Sequence, residues 1–179
     1  SVMAKSWNNK IFKNIKQKAD HASKLLADKK GACPDANDYG VNERFSNKIA
    51  IAPTASISII CGGSSPGVEP IATNSFNQKT LSGSFNVRNP QLKKLLKEKG
   101  KDTEEVWSSI TVNNGSVQHL DFLDNLEKAV YKTAFEIDQR YLIELAGDRT
   151  PFVCQAQSLN IFLKPDVHKR DLHNIHFSA

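Results

Sequence analysis

The segment Pro53-Thr54-Ala55-Ser56-Ile57-Ser58 carries the residue types best suited to holding an anion. It follows Ile49, Ala50, Ile51 and Ala52, part of a stretch at 47–52 that reads as a short buried strand. Thr54, Ser56 and Ser58 offer hydroxyl donors. If the chain turns into a helix here, its first backbone N–H groups add to them, aided by the partial positive charge of a helix start. Nest-type sites of this kind hold phosphate without any lysine. By spacing alone, a capping turn with no ligand accounts for Pro-Thr-Ala-Ser equally well.

The other reactive residues are scattered. Cys33, Cys61 and Cys154 form no CxxC pair and no Cys/His cluster at zinc spacing, which predicts free thiols in a reducing, cytosolic setting. Cys61 and Cys154 stand in apolar runs and read as small buried hydrophobes, and Cys33, beside Pro34, as a surface or half-buried thiol. His173 and His176 are three apart on an expected helix, but the nearest carboxylate on that face, Asp166, lies two turns away. His21, His119 and His168 add no cluster, so no metal site is expected. A Ser or Cys hydrolase lacks its GxSxG elbow and a His–acid pair.

Periodicity predicts a helix over 5–28, with Trp7, Ile11, Ile15, Ala19, Ala22 and Leu26 on one face and Gly31 and Pro34 ending it. A polar turn is expected over 35–40. Gly62-Gly63-Ser64-Ser65-Pro66-Gly67 is the strongest loop signal. Asn89 and Pro90 open a second helix, striped by Leu92, Leu95 and Leu96 and ended by Gly100. Asp102 with Glu105 resembles a capping box for a short helix through Ile110. A long helix is expected over 124–146, a second buried strand over 158–163 and a last helix from Asp166. The fold class is α/β: helix-rich, with isolated strands whose sheet neighbours these residues do not supply.

At 179 residues, 39% hydrophobic and 24% charged, the sequence describes a folded domain or part of one, not a disordered tail. The longest apolar stretch, 49–61, is interrupted by Pro53, Thr54, Ser56 and Ser58, too short and polar for a bilayer span. The N-terminus lacks a signal-peptide core. It begins with Ser1 rather than Met, so the true start is expected to be missing. The net charge of +5 admits an anionic partner, but many of the lysines fall on two expected helices, at 10–18 and 93–101, with few aromatics between them.

A series of short motifs resembles one family. Ala52-Pro53-Thr54-Ala55-Ser56, then Val68-Glu69-Pro70, is similar to the phosphate loop and following segment of the class I ribonucleotide reductase large subunit. Leu81-Ser82-Gly83-Ser84-Phe85 with Asn89-Pro90 and Leu92 resembles its LSGxF…NPxL segment, and Gly115-Ser116-Val117-Gln118 its GS(I/V)Q turn. Tyr131-Lys132-Thr133, Glu136-Ile137 and the QAQSLN run at 155–160 resemble later segments. Ile175-His176-Phe177 is similar to a hydrophobic-His-Phe segment, with Ile175 where Met or Leu is common. The matches keep family order from about Phe45 to Phe177.

The resemblance implies the helix-rich part of a ten-stranded α/β barrel, incomplete in this chain, with residues 1–179 its C-terminal part. It implies that Pro53, Thr54, Ala55, Ser56, Ile57 and Ser58 hold the diphosphate of a ribonucleoside diphosphate whose 2′-hydroxyl is removed by radical chemistry. The radical cysteine, the reducing pair, their Asn and Glu helpers and the effector region belong to upstream family segments. The radical-relaying tyrosine pair lies beyond position 179, and Tyr39, Tyr131 and Tyr141 do not match it. The implied partners are the remainder of the large subunit, a metal-containing small (beta) subunit that supplies the radical, and thioredoxin or glutaredoxin as reductant. No cofactor bound by this chain, no membrane and no direct nucleic-acid contact are implied, in a cytoplasmic setting. The chain alone is expected to be inactive. The competing reading is a free-standing basic module that binds nucleic acid through 93–101 in a salt-dependent way.

Overall fold

Twenty-nine residues without proline or glycine form helix α1 (Val2–Lys30) in the computed structural model, with Lys29 and Lys30 in its last turn, where cations suit the helix dipole. The structure describes residues 2–62, 64–81 and 83–179. Two units divide the chain: Ser1–Pro53 with Arg140–Leu159 and Ser178–Ala179, and Thr54–Gln139 with Asn160–Phe177.

In the first unit, α1 covers the predicted span, yet its stripe of Trp7, Ile11 and Ile15 remains exposed and burial concentrates at Ser23 and Ala27. The expected turn at 35–40 is instead largely a short helix, α2 (Pro34–Asp38), because Pro34 suits its first position and Asp35 its first turn. Helix α7 (Arg140–Arg149) lies against α1, where the Asn8 side-chain amide donates to the Leu145 carbonyl at 3.0 Å. The buried Arg149 guanidinium donates to Gln157 Oε1 at 3.1 Å and Asn8 Oδ1 at 3.3 Å, and lies over the Phe12 ring.

Among the described residues the expected strand at 47–52 makes one parallel bridge, Ile51 to Gln157, just ahead of the second expected strand at 158–163, which forms no ladder of its own. Ile51 N–H donates to Ala156 (3.2 Å) and Ser158 N–H to Ile51 (2.9 Å). Both segments stay half-exposed, in keeping with strands that need further neighbours to extend and bury them. Cys154 is exposed rather than buried, and its Sγ accepts the N–H groups of Lys48 (3.1 Å) and Ile49 (3.2 Å). Those two donors hold its thiol below the usual range.

The second unit contains a hairpin with no counterpart in the sequence reading, β1 (Ser75–Thr80) antiparallel to β2 (Gly83–Arg88), with Phe76 opposite Val87 and Gln78 opposite Phe85. Apolar residues alternate too sparsely here to signal strands. Asn89 caps α4 (Pro90–Glu98) by accepting from the N–H groups of Gln91 and Leu92. Helix α5 (Glu104–Val112) is capped by Thr103, not Asp102, since the Asp102 carboxylate is taken by the Trp107 indole N–H at 2.7 Å. Leu92 and Leu96 pack with Trp107, Ile110, Val117, Leu120 and Leu123 into one core.

Asn74, 2% exposed, ties this unit together. Its amide donates to the carbonyls of Gly115 (2.9 Å) and Tyr131 (2.8 Å), and its oxygen accepts from Asn89 Nδ2 at 2.8 Å. Gly115 has φ +80°, and a Cβ there would lie 1.9 Å from Thr73 Oγ1 and 2.8 Å from the Asn74 nitrogen. Gly115→Ala is therefore expected to cost about 2–4 kcal/mol, left-handed strain and overpacking together. Thermal unfolding of the chain checks it, and a change within about 0.5 kcal/mol, the range of an ordinary surface substitution, would contradict this packing.

The helix expected over 124–146 is broken into α6 (Asn125–Val130), a 3-10 turn (Ala134–Glu136) and α7. Distant groups occupy the backbone sites a continuous helix needs. Ala134 N–H donates to Ile71 O at 2.8 Å, and the Tyr131 carbonyl accepts from Asn74. Glu136 accepts the N–H and hydroxyl of Thr133 and the Ser116 hydroxyl. The last helix, α8 (Lys169–Ser178), leaves Leu172 and Phe177 exposed.

Candidate phosphate-binding loop

After Pro53 the chain enters α3 (Ala55–Ile60) through Thr54, which sits in the left-handed region at φ 51°, ψ 29°. For a β-branched residue this conformation is strained, on the order of 1–3 kcal/mol, and persists only where surroundings enforce it. Here the Thr54 hydroxyl accepts the Gly67 N–H at 2.6 Å. That contact removes Thr54 from side-chain capping, so α3 begins with no side-chain cap.

The consequence is a set of donors that are unused among the described residues. The first intrahelical bond runs from Ser58 N–H to the Thr54 carbonyl at 2.9 Å, so the N–H groups of Ala55, Ser56 and Ile57 have no partner within the helix. Ala55, Ser56 and Ile57 are exposed. The Ser56 hydroxyl stands beside these donors, while Ser58 is buried and spends its hydrogen on the Ala55 carbonyl at 2.7 Å. Of the six candidate residues, Ala55, Ser56 and Ile57 are thus exposed with N–H groups unused by the helix, Thr54 precedes them in its left-handed turn, Ser58 braces the turn, and Pro53, exposed, leads in. One flank of α3, including Ala55, Ser58 and Ile59, borders an open, largely apolar cleft of about 710 Å³ shared with Phe76 and Val87. Arg88, also on that cleft, is committed to Glu104 and to the Trp107 ring.

Two residues after Gly67, Glu69 is 6% exposed, and its two oxygens accept the Asn160 backbone N–H at 2.8 Å and side-chain amide at 3.0 Å. Both residues stand in the family-like motifs at 68–70 and 155–160, whose residue types assign neither of them a role. A buried carboxylate with its partner 91 residues away has no local signal.

Cys61 ends α3 and is exposed, contrary to the expectation of a small buried hydrophobe, because it stands at the helix end beside the Gly62 turn. Among the described residues, no group of three or more His, Cys, Asp or Glu side chains is arranged to hold a metal ion. Among the described residues, no helix is long and apolar enough to cross a membrane either. Ser109 Oγ lies 2.9 Å from His119 Nε2, but among the described residues no carboxylate bonds to that ring, so the pair lacks the orienting acid of a nucleophilic triad. On the basic 93–101 stretch, Lys99 pairs with Glu127 at 2.9 Å and Lys101 lies over the Phe122 ring, which engages two of its charges within the fold.

Comparison with known proteins agrees with the motif order. The family model described as "Ribonucleotide reductase, barrel domain" matches residues 35–179. The ribonucleoside-diphosphate reductase large subunit of Invertebrate iridescent virus 6 is 45% identical over 180 residues, covering 98% of this chain and 19% of that protein. That of Invertebrate iridescent virus 3 is 44% identical, covering 100% and 29%. Among solved structures, the Actinobacillus ureae class Id ribonucleotide reductase alpha subunit matches with a TM-score of 0.88 at 41% identity, over 99% of this chain and 32% of that one. The chain thus spans 19% to 32% of the length of these relatives. An α/β segment with this motif order and these matches belongs to the ribonucleotide reductase barrel-domain family.

Proposed function

We propose that this chain supplies the substrate-diphosphate loop of a ribonucleoside-diphosphate reductase large subunit, as the C-terminal part of its barrel domain. The observation that carries the reading is the set of exposed residues Ala55, Ser56 and Ile57 whose N–H groups have no helical partner, at a helix start held by the Thr54–Gly67 contact. Donors preorganised around one point bind an oxyanion without paying for reorganisation. The loop's contribution is positional: holding the diphosphate fixes the ribose relative to groups supplied elsewhere in the subunit. The chain's own thiols take no part in that chemistry. Turnover then requires the remainder of the large subunit, a metal-containing small subunit as radical source, and thioredoxin or glutaredoxin as reductant, in the cytoplasm.

The test is nucleoside-diphosphate reduction by the chain alone, and by the chain mixed with the remaining large-subunit segments and the small subunit. Activity in the mixture only is the expected result. Turnover by the chain alone, or none in a mixture whose parts are folded and associated, would overturn the proposal.

A further inference from the structure

Burying a carboxylate is costly unless its oxygens are satisfied. Glu69 is 6% exposed, and among the described residues no ion pair reaches it. What holds it is a two-pronged contact with one residue, the Asn160 backbone N–H on Oε1 and the Asn160 amide on Oε2. Asn160 itself is exposed, so this arrangement is not a by-product of core packing on both sides.

The position of Glu69 in the chain gives the contact a consequence. Its own N–H closes a turn onto the Pro66 carbonyl at 3.2 Å, and inside that turn the Gly67 N–H is donated to Thr54 Oγ1. The Thr54 conformation in turn sets the direction of the Ala55, Ser56 and Ile57 N–H groups. Asn160, Glu69, the Pro66–Glu69 turn and Thr54 therefore form one connected series ending at the loop.

We propose that Glu69 is a positioning residue: its clasp on Asn160 fixes the Gly67 turn that keeps Thr54 left-handed, and so holds the anion-binding N–H groups in place. This rests on the phosphate-loop reading above. The clasp makes a specific demand on donors and acceptors. In Asn160→Asp two carboxylates face each other and the second hydrogen bond becomes a repulsion. In the double variant Glu69→Gln with Asn160→Asp, the introduced amide's carbonyl accepts the backbone N–H and its NH₂ donates to the new carboxylate, which restores both bonds with roles exchanged. Glu69→Gln alone is expected to be mild, because the Asn160 amide can rotate to accept.

The experiment measures KM and kcat for a nucleoside diphosphate in the assembled reductase. Alongside it, the Ala55, Ser56 and Ile57 amide resonances are recorded in the full 179-residue chain. Asn160→Asp is expected to raise KM roughly tenfold with kcat within about threefold, and to shift the three resonances, as misplacement of a binding group does. The double variant should return both to near the parent values, with the melting temperature little changed throughout. Ser56→Asp, carried in parallel, tests the loop itself. If Ser56→Asp raises KM while Asn160→Asp moves neither KM nor the resonances, the clasp proposal is overturned and the loop reading stands. If Asn160→Asp shifts the resonances but neither variant changes KM, the loop reading falls, and with it the role given to the clasp. A lowered melting temperature with unchanged KM, or no recovery in the double variant, reduces Glu69 to a structural residue and overturns the proposal.

Discussion

Ser56→Asp is expected to lower kcat/KM for nucleoside-diphosphate reduction in the assembled enzyme by on the order of 100-fold, most of it in KM. Ser56 is exposed between Ala55 and Ile57, whose N–H groups have no partner among the described residues, so a carboxylate placed there would meet a diphosphate held as proposed. Two unit charges about 4 Å apart at an effective dielectric near 20 repel by about 4 kcal/mol, roughly three powers of ten. Solvent at this open position screens part of that, which brings the expectation down to about two. Ser56→Ala removes only a hydroxyl and leaves the backbone donors, so a loss of a few-fold is expected. Both variants should melt with the parent, because Ser56 is exposed and has no buried partner among the described residues. An unchanged kcat/KM in Ser56→Asp would remove the phosphate from this loop.

Trp107→Ala should be the most destabilising single change among those considered, costing about 3–5 kcal/mol by denaturant unfolding. Trp107 is 2% exposed and packs with Leu92, Leu96 and Ile110 in the core of the second unit. Its indole N–H donates to Asp102 at 2.7 Å, and the Arg88 guanidinium lies over its ring at 5.0 Å. Truncation therefore leaves a cavity, an Asp102 oxygen without its donor and an Arg88 without its platform. Trp107→Phe keeps an aromatic face but loses the N–H, and should cost about 1–2 kcal/mol, the hydrogen bond plus part of the ring contact. A loss below about 1 kcal/mol for the alanine variant would mean that this cluster is not the core of its unit. Since Arg88 also borders the α3 cleft, the same variant tests whether that wall depends on the indole.

The amino-acid sequence by itself determined what local chemistry can determine. The span of α1 follows from 29 residues without a breaker, and the start of α4 from Asn89 and Pro90. The leucine stripe of α4 enters the core as its spacing requires. Family membership was legible too, because motif order needs no coordinates. Tertiary structure decided the rest. The helix read over 124–146 breaks because Asn74, Ile71 and Ser116 hydrogen-bond to its backbone or to the Glu136 carboxylate that caps its new turn. Such partners, 20 to 63 residues away, outweigh a periodicity that acts over four. The parallel bridge of Ile51 to Gln157 likewise joins positions whose pairing no local pattern records. In the candidate loop, the hydroxyls at 54, 56 and 58 look equivalent in sequence. Packing divided them: Thr54 turned to Gly67 and Ser58 to its own helix, leaving Ser56 facing outward. The Glu69 carboxylate could be assigned no partner in advance, because a buried acid takes whichever donors the fold brings to it, and here these come from Asn160. Side-chain types set what each group can donate or accept, and distant contacts chose which of those bonds form.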